Sequence, residues 1–132
     1  MSVLCALAVA TAVLVWWRWS PTTQPRIDVG QRVVEEFLTL LRGGQADAAW
    51  QSTTAEFKSA LGREKFLLFV KQRAYFKRPL SFVSMQTVRV QNRPRSEFVY
   101  RTADNKATIR VLVGSESGTW HVDRLNVDDV PH

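Results

Sequence analysis

The 132-residue sequence has 45% hydrophobic residues and a net charge of +6, which is typical of a globular protein with a basic balance. An apolar leader of roughly 20 residues leaves about 100 residues, enough for one domain but not for a separate cofactor domain. The single cysteine, Cys5, lies in the leader, so the rest of the chain can form neither a disulfide nor a cysteine-based metal site.

The leader is predicted to be a membrane anchor over residues 1–20. Residues 3–17 carry no charge, and a helix of about 17 residues here would span about 25 Å, short but enough for a single pass. The membrane-interface residues would be Trp16, Trp17, Arg18 and Trp19. A cleaved signal peptide is the alternative, because small residues at positions 8–12 resemble a cleavage site. Residues 21–27, which contain two prolines, read as a linker.

Two arginines bear on the side of the membrane on which the domain lies. Arg18 and Arg26 follow the apolar span, and only the amino terminus precedes it. By the positive-inside rule alone, this pattern favours a cytoplasmic domain.

The first predicted helix rests on apolar residues at helical spacing between positions 33 and 41. Asp28 is predicted to be its N-cap, and Gly43 and Gly44 are predicted to end it. A short second helix is predicted over residues 45–51.

A capping box is predicted next, at Thr53 and Glu56, and it would open a turn. The third helix is predicted over residues 63–76, and Pro79 ends the helical half. The aromatic residues of this half are read as core residues.

The second half of the sequence is predicted to form four antiparallel strands. They are expected at residues 80–91, 96–101, 107–113 and 119–127. Two breaks in the alternation predict bulges, at Gln86–Thr87 and at Asp123–Arg124. The fold class is therefore α+β, with three helices packed on a curved four-stranded antiparallel sheet.

Two segments carry a family resemblance. They are Leu41-Arg-Gly-Gly-Gln-Ala-Asp-Ala-Ala-Trp50 and Gly118-Thr-Trp-His-Val-Asp123, behind an opening amphipathic helix. Over residues 28–128 the chain resembles the nuclear transport factor 2-like (cystatin-like) superfamily. The resemblance implies a cone-like domain, and members include isomerases, dehydratases, ligand binders and scaffold subunits of bacterial membrane assemblies. Anchored members of this layout imply an extracytoplasmic domain on the inner membrane, the opposite of what the positive-inside rule favours. The resemblance also allows a homodimer through the open sheet face.

The catalytic candidates implied by the resemblance are His121, Asp123 and Tyr100, because enzymes of the superfamily use polar residues inside the sheet. His121 and Asp123 alternate with Trp120 and Val122, which are predicted to face the core. The pair therefore points away from the core, and an enzyme is disfavoured. The sequence has no metal-ligand spacing and no glycine-rich phosphate loop, so no cofactor or metal is expected.

Basic residues are concentrated in the middle of the chain, where residues 57–95 contain ten Lys or Arg and one acidic residue. The predicted binding residues are Lys71, Arg73, Lys77, Arg78, Arg93 and Arg95. Three interpretations of this stretch are open: a solvated face, a surface that contacts anionic lipid head groups, or a surface that contacts an acidic protein. Nucleic acid is disfavoured because no recognition module is present.

These features predict a single-pass membrane protein acting as a non-enzymatic accessory or scaffold subunit of a membrane-associated assembly. Its basic surface would contact lipid head groups or an acidic partner. The alternative is a small-molecule-binding or isomerase-like domain with a pocket between the sheet and the helices.

Overall fold

The computed structural model of the protein describes residues 24–129. The predicted anchor over residues 1–20 and residues 21–23 of the predicted linker lie outside the described residues. No helix within residues 24–129 is long and apolar enough to cross a membrane.

The first half of the described chain forms four α-helices and one 3-10 helix, and not the three helices predicted, because the predicted turn after Thr53 contains a helix. They are α1 (Ile27–Arg42), α2 (Ala46–Gln51), α3 (Ala55–Ala60), α4 (Arg63–Lys71) and the 3-10 helix (Ala74–Lys77). Helix α1 forms because Val34, Phe37 and Leu41 share one face, which is buried. It ends at Gly43 as predicted, where the backbone N–H bonds back to the carbonyl of Thr39.

Three helix predictions are wrong in detail. Helix α1 begins before Asp28, whose carboxylate lies in the first turn, near the positive end of the helix dipole. The cap of α3 is Thr54 and not Thr53, since Oγ1 of Thr54 accepts a 3.2 Å hydrogen bond from the backbone N–H of Phe57. The predicted helix 63–76 is divided after Lys71, and the 3-10 helix turns Phe76 into the core.

The second half forms a four-stranded antiparallel sheet in the order β1-β2-β3-β4. The strands are β1 (Leu80–Val90), β2 (Arg93–Thr102), β3 (Ala107–Glu116) and β4 (Thr119–Asp129). The α+β class and the four-stranded antiparallel sheet are therefore confirmed.

One of the two predicted bulges is confirmed. In β4, Asp123 is the extra residue, because Arg124 pairs with Leu112 while Val122 pairs with Val113. In β1 the irregularity lies at Val83 and not at Gln86–Thr87. Phe82 and not Val83 shares the helix-facing side with Met85, so the alternation changes earlier than the sequence suggested.

The core lies between the helices and one face of the sheet. On β2 and β3 this face carries Phe98, Tyr100, Ile109 and Val111, all buried. Helix α1 approaches the sheet closely at Gly30, where an added Cβ would lie 2.5 Å from Cζ of Phe98. Val122 is buried in the same core and Trp120 packs against it, which confirms the predicted facing of β4.

Candidate functional site

His121 and Asp123 contact the loop between α2 and α3. Nδ1 of His121 lies 2.9 Å from the carbonyl oxygen of Ser52, and Nε2 lies 2.6 Å from Oγ1 of Thr119. Oδ1 of Asp123 accepts a 2.6 Å hydrogen bond from the hydroxyl of Thr54. Both side chains therefore hold the helical half against the edge of β4, with both ring nitrogens of His121 engaged.

Tyr100 occupies a different neighbourhood, on β2 and facing α1. Its hydroxyl is buried and makes no hydrogen bond within the described residues. Burial raises the pKa of Tyr100, and the negative charge of Glu35 on α1 raises it further.

A pocket of about 190 Å³ adjoins Tyr100, between α1 and the start of β1. Its lining is mixed in charge: Glu35, Leu38, Thr39, Arg42, Arg78, Leu80 and Tyr100. Neither His121 nor Asp123 lines it, and Asp123 instead borders a groove next to Phe57. The structure does not bring the three catalytic candidates together. Within residues 24–129 no group of three or more His, Cys, Asp or Glu side chains could hold a metal ion.

Arg73 is bound within the fold. Its Nε lies 3.3 Å from Oδ2 of Asp129, and its Nη1 donates a 3.1 Å hydrogen bond to the carbonyl of Phe69. The guanidinium also stacks 3.9 Å from the centre of the Phe69 ring. Tyr75 donates a 2.6 Å hydrogen bond to Oδ1 of the same Asp129. These contacts fasten the segment after α4 to the end of β4.

Three other predicted binding residues, Lys71, Lys77 and Arg78, form what we call the α4–β1 patch. They lie between the end of α4 and the start of β1, and all three are exposed. None of the three forms an ion pair in the part of the chain that the structure describes.

Arg93 and Arg95 lie at the opposite end of the sheet. Arg93 pairs with Val90 at the β1–β2 hairpin, and β1 is about 33 Å long at roughly 3.3 Å per residue. Arg95 is partly buried, and its Nη1 lies 3.3 Å from the position that a Cβ on Gly114 would occupy. The predicted basic surface is therefore divided between two ends of the domain.

Two further arginines at the hairpin end were absent from the predicted site. Arg89 lies on β1 beside the turn, and Arg26 precedes α1 with its side chain 85% exposed. Gln24 brings this end of the chain to the sheet, since its Nε2 donates a 3.1 Å hydrogen bond to Oγ1 of Thr87. We call Arg26, Arg89 and Arg93 the hairpin patch. The predicted strands 80–91 and 96–101 placed the connection at residues 92–95, whereas in the structure a two-residue turn at Gln91 and Asn92 stands between Arg89 and Arg93.

The sheet face turned away from the helices has its own side-chain network. Glu97 is buried there, accepts a 2.6 Å hydrogen bond from Nε2 of Gln86 and lies 3.9 Å from Nε of Arg110. Val99 and Leu112 are buried beside it. The face thus combines apolar side chains with a satisfied carboxylate.

No protein-family model matches the sequence, and no curated protein matches it at a significant level.

Proposed function

We propose that the protein is a single-pass, membrane-anchored accessory or scaffold subunit of a membrane-associated assembly, without enzymatic activity. We further propose that residues 28–128 form a cone-like domain of the nuclear transport factor 2-like type. The order of the helices and the four-stranded antiparallel sheet supports this assignment, as do the two sequence segments described above.

The observation that carries the proposal is the α4–β1 patch. Three neighbouring cations are exposed, and none has an ion-pair partner among the described residues. Water solvates exposed cations, so the absence of ion pairs at the patch has little effect on the stability of the fold. An acidic surface of a partner protein would attract it through complementary charge.

Charge reversal of the patch tests the proposal. The full chain is extracted from membranes in mild detergent, and co-purifying proteins are compared between wild type and the triple variant Lys71→Glu, Lys77→Glu, Arg78→Glu. We expect the variant to lose a partner that the wild type retains. The charge-matched control is Arg32→Glu, Lys65→Glu, Arg124→Glu, which alters exposed cations elsewhere and should keep the partner. Equal recovery of the same proteins by all three chains contradicts the proposal.

For the side of the membrane, we propose that the domain lies outside the cytoplasm. Ser115 is exposed on β3 and provides a labelling position once Cys5 is replaced by serine. An impermeant thiol reagent should label Ser115→Cys in intact spheroplasts. Labelling only after the membrane is opened would put the domain in the cytoplasm.

A second function, binding of a small molecule, is favoured by the pocket beside Tyr100. A buried hydroxyl without a hydrogen-bond partner is costly, and a ligand oxygen could accept its hydrogen bond after a small rearrangement. A thermal-shift screen of small carboxylates and amino acids tests this function. A ligand of the pocket should raise the melting temperature of the wild type and do so much less in Tyr100→Phe.

A further inference from the structure

We propose that the hairpin patch rests on anionic lipid head groups, so that the β1–β2 hairpin is the membrane-facing end of the domain. This inference rests on the proposed membrane anchor. It assigns the two basic patches to different partners: lipid at the hairpin and protein at the α4–β1 patch.

The first step is the place where the chain reaches the domain. Gln24 is fixed to β1 through its hydrogen bond to Thr87, and Pro25 is buried against Gly30. Thr87 precedes the end of β1 at Val90 by three residues, about 10 Å along the strand. The chain therefore reaches the domain beside the hairpin and not at the α4–β1 end.

The second step is the length of chain that joins this point to the predicted anchor. Only four peptide steps separate position 20 from Gln24, and they span at most about 14 Å. From Thr87, where Gln24 is held, the start of β1 lies seven residues away, about 23 Å, and its hairpin end lies only about 10 Å away, so this spacer brings the hairpin end to the bilayer more readily than the α4–β1 patch. The hairpin lies within reach.

The third step is the chemistry of that end. Arg89 and Arg93 are exposed on either side of a turn in which Gln91 and Asn92 have φ of 51° and 65°. Positive φ at both positions is the conformation of the tight two-residue hairpin. Because Arg89 pairs with Pro94 and Arg93 pairs with Val90, the two arginines flank the tip of the hairpin on opposite faces of the sheet. Arg26 adds a third exposed guanidinium, and its Nε lies 3.5 Å from Oδ1 of Asp28.

Guanidinium groups suit lipid phosphates because they donate paired hydrogen bonds. Each basic residue close to an anionic surface strengthens the contact about fivefold, an effect that salt screens within a Debye length of about 8 Å at physiological ionic strength. Two arginines at the hairpin therefore favour the docked state roughly 30-fold on a bilayer rich in anionic lipid.

The experiment measures how close each end of the domain lies to the bilayer. The full chain with Cys5→Ser and a fluorophore at Val90→Cys is reconstituted into phosphatidylcholine vesicles with or without phosphatidylglycerol. A quencher attached to the lipid head groups should reduce the fluorescence strongly only when phosphatidylglycerol is present. The matched probe at Ala103→Cys, at the turn between β2 and β3, should remain bright.

Two variants separate charge from geometry. Arg89→Gln with Arg93→Gln should abolish the quenching at position 90, whereas Lys77→Gln with Arg78→Gln should leave it unchanged. Quenching at position 103 in place of position 90 overturns the inference. Quenching at position 90 that is equally strong without phosphatidylglycerol and in the Arg89→Gln, Arg93→Gln variant also overturns it.

Flotation of the same vesicles distinguishes failure of this inference from failure of the proposed anchor. A chain that floats with the vesicles but shows no quenching at position 90 overturns only the docking of the hairpin. A chain that does not float overturns the anchor, and the docking with it.

Discussion

Gly30 allows α1 to pack directly on the sheet, and its replacement is the sharpest test of that packing. A Cβ at this position would lie 2.5 Å and 2.8 Å from two ring atoms of Phe98, a fully buried side chain. Overpacking of this kind costs about 1–3 kcal/mol, and the better helix propensity of alanine returns up to about 1 kcal/mol. We expect Gly30→Ala to lower the free energy of unfolding by about 1–2 kcal/mol, measured by urea denaturation.

Gly43→Ala is the matched control for this prediction. Its added Cβ would meet the carbonyl oxygens of Thr39 and Leu40, at 3.4 Å and 3.8 Å, and its φ of −80° suits alanine. We expect Gly43→Ala to change stability by no more than about 0.5–1 kcal/mol, in the stabilising direction. A Gly30→Ala protein as stable as the wild type would show that Phe98 moves aside without cost.

Arg73 illustrates what sequence reasoning misses at the scale of single residues. It stands among basic residues in the sequence, which suggested a role in binding. In the structure it is held by Phe69 and by Asp129, and the latter lies on the last strand. The fold brings this partner, which is distant along the chain, next to Arg73. Composition and residue spacing do not predict such a contact.

Among the elements, α3 uses one side chain, Thr54, both to cap its start and to bond to β4. The hydroxyl of Thr54 accepts a hydrogen bond from the N–H of Phe57 and donates one to Asp123. Loss of a threonine cap costs about 1 kcal/mol, and loss of the bond to a carboxylate adds to that. We expect Thr54→Val to destabilise the protein by about 1–3 kcal/mol and to speed hydrogen exchange of the α3 amides.

Thr54→Ser tests whether the hydroxyl is responsible, because serine retains both hydrogen bonds. Its stability should stay within about 1 kcal/mol of the wild type. Thr39→Val, on the exposed side of α1, should change stability by less than about 0.5 kcal/mol. If Thr54→Val behaves like Thr39→Val, the hydroxyl does not hold α3 in place.

The elements that the sequence predicted well are those with strong periodicity. The apolar spacing around Val34 and Phe37 predicted α1, and the parity change after Val122 predicted the bulge at Asp123. The helix predicted over residues 63–76 and the bulge predicted at Gln86–Thr87 were wrong for a common reason. Phe76 is buried in the core, and Phe82 lies on the helix-facing side opposite Tyr100 while staying 39% exposed. The choice between adjacent apolar residues for that side depends on tertiary packing.

For the whole molecule, the charge distribution follows from the direction of the strands. Residues close in sequence, such as Arg78 and Arg89, lie far apart because β1 runs nearly the full length of the sheet between them. Residues far apart in sequence, such as Gln24 and Thr87, come together at one end. The sequence therefore predicted how basic the domain is, whereas the division into two patches required the fold.

Both tyrosines of the sequence link ionisation to global folding. Burial raises the pKa of Tyr100, with the charge of Glu35 adding to the effect. Burial also raises the pKa of Tyr75, and the hydrogen bond to Asp129 raises it further. In an unfolded chain both phenols would ionise at a pH of about 10. The folded state therefore retains two protons that the unfolded state releases, so the resulting stability is present below pH 10 and is lost as the pH rises above it.

Alkaline titration followed by tyrosinate absorbance and circular dichroism tests this coupling. We expect no tyrosinate signal while the circular dichroism stays native, and then a single cooperative rise as the protein unfolds above a pH of about 10. Tyr100→Phe should halve the amplitude and retain the coincidence of the two signals. Ionisation of one phenol near its ordinary pKa in a protein with native circular dichroism would show that its side chain is open to water. That result at Tyr75 would also mean that the contacts of Arg73 and Tyr75 with Asp129 break without unfolding of the domain.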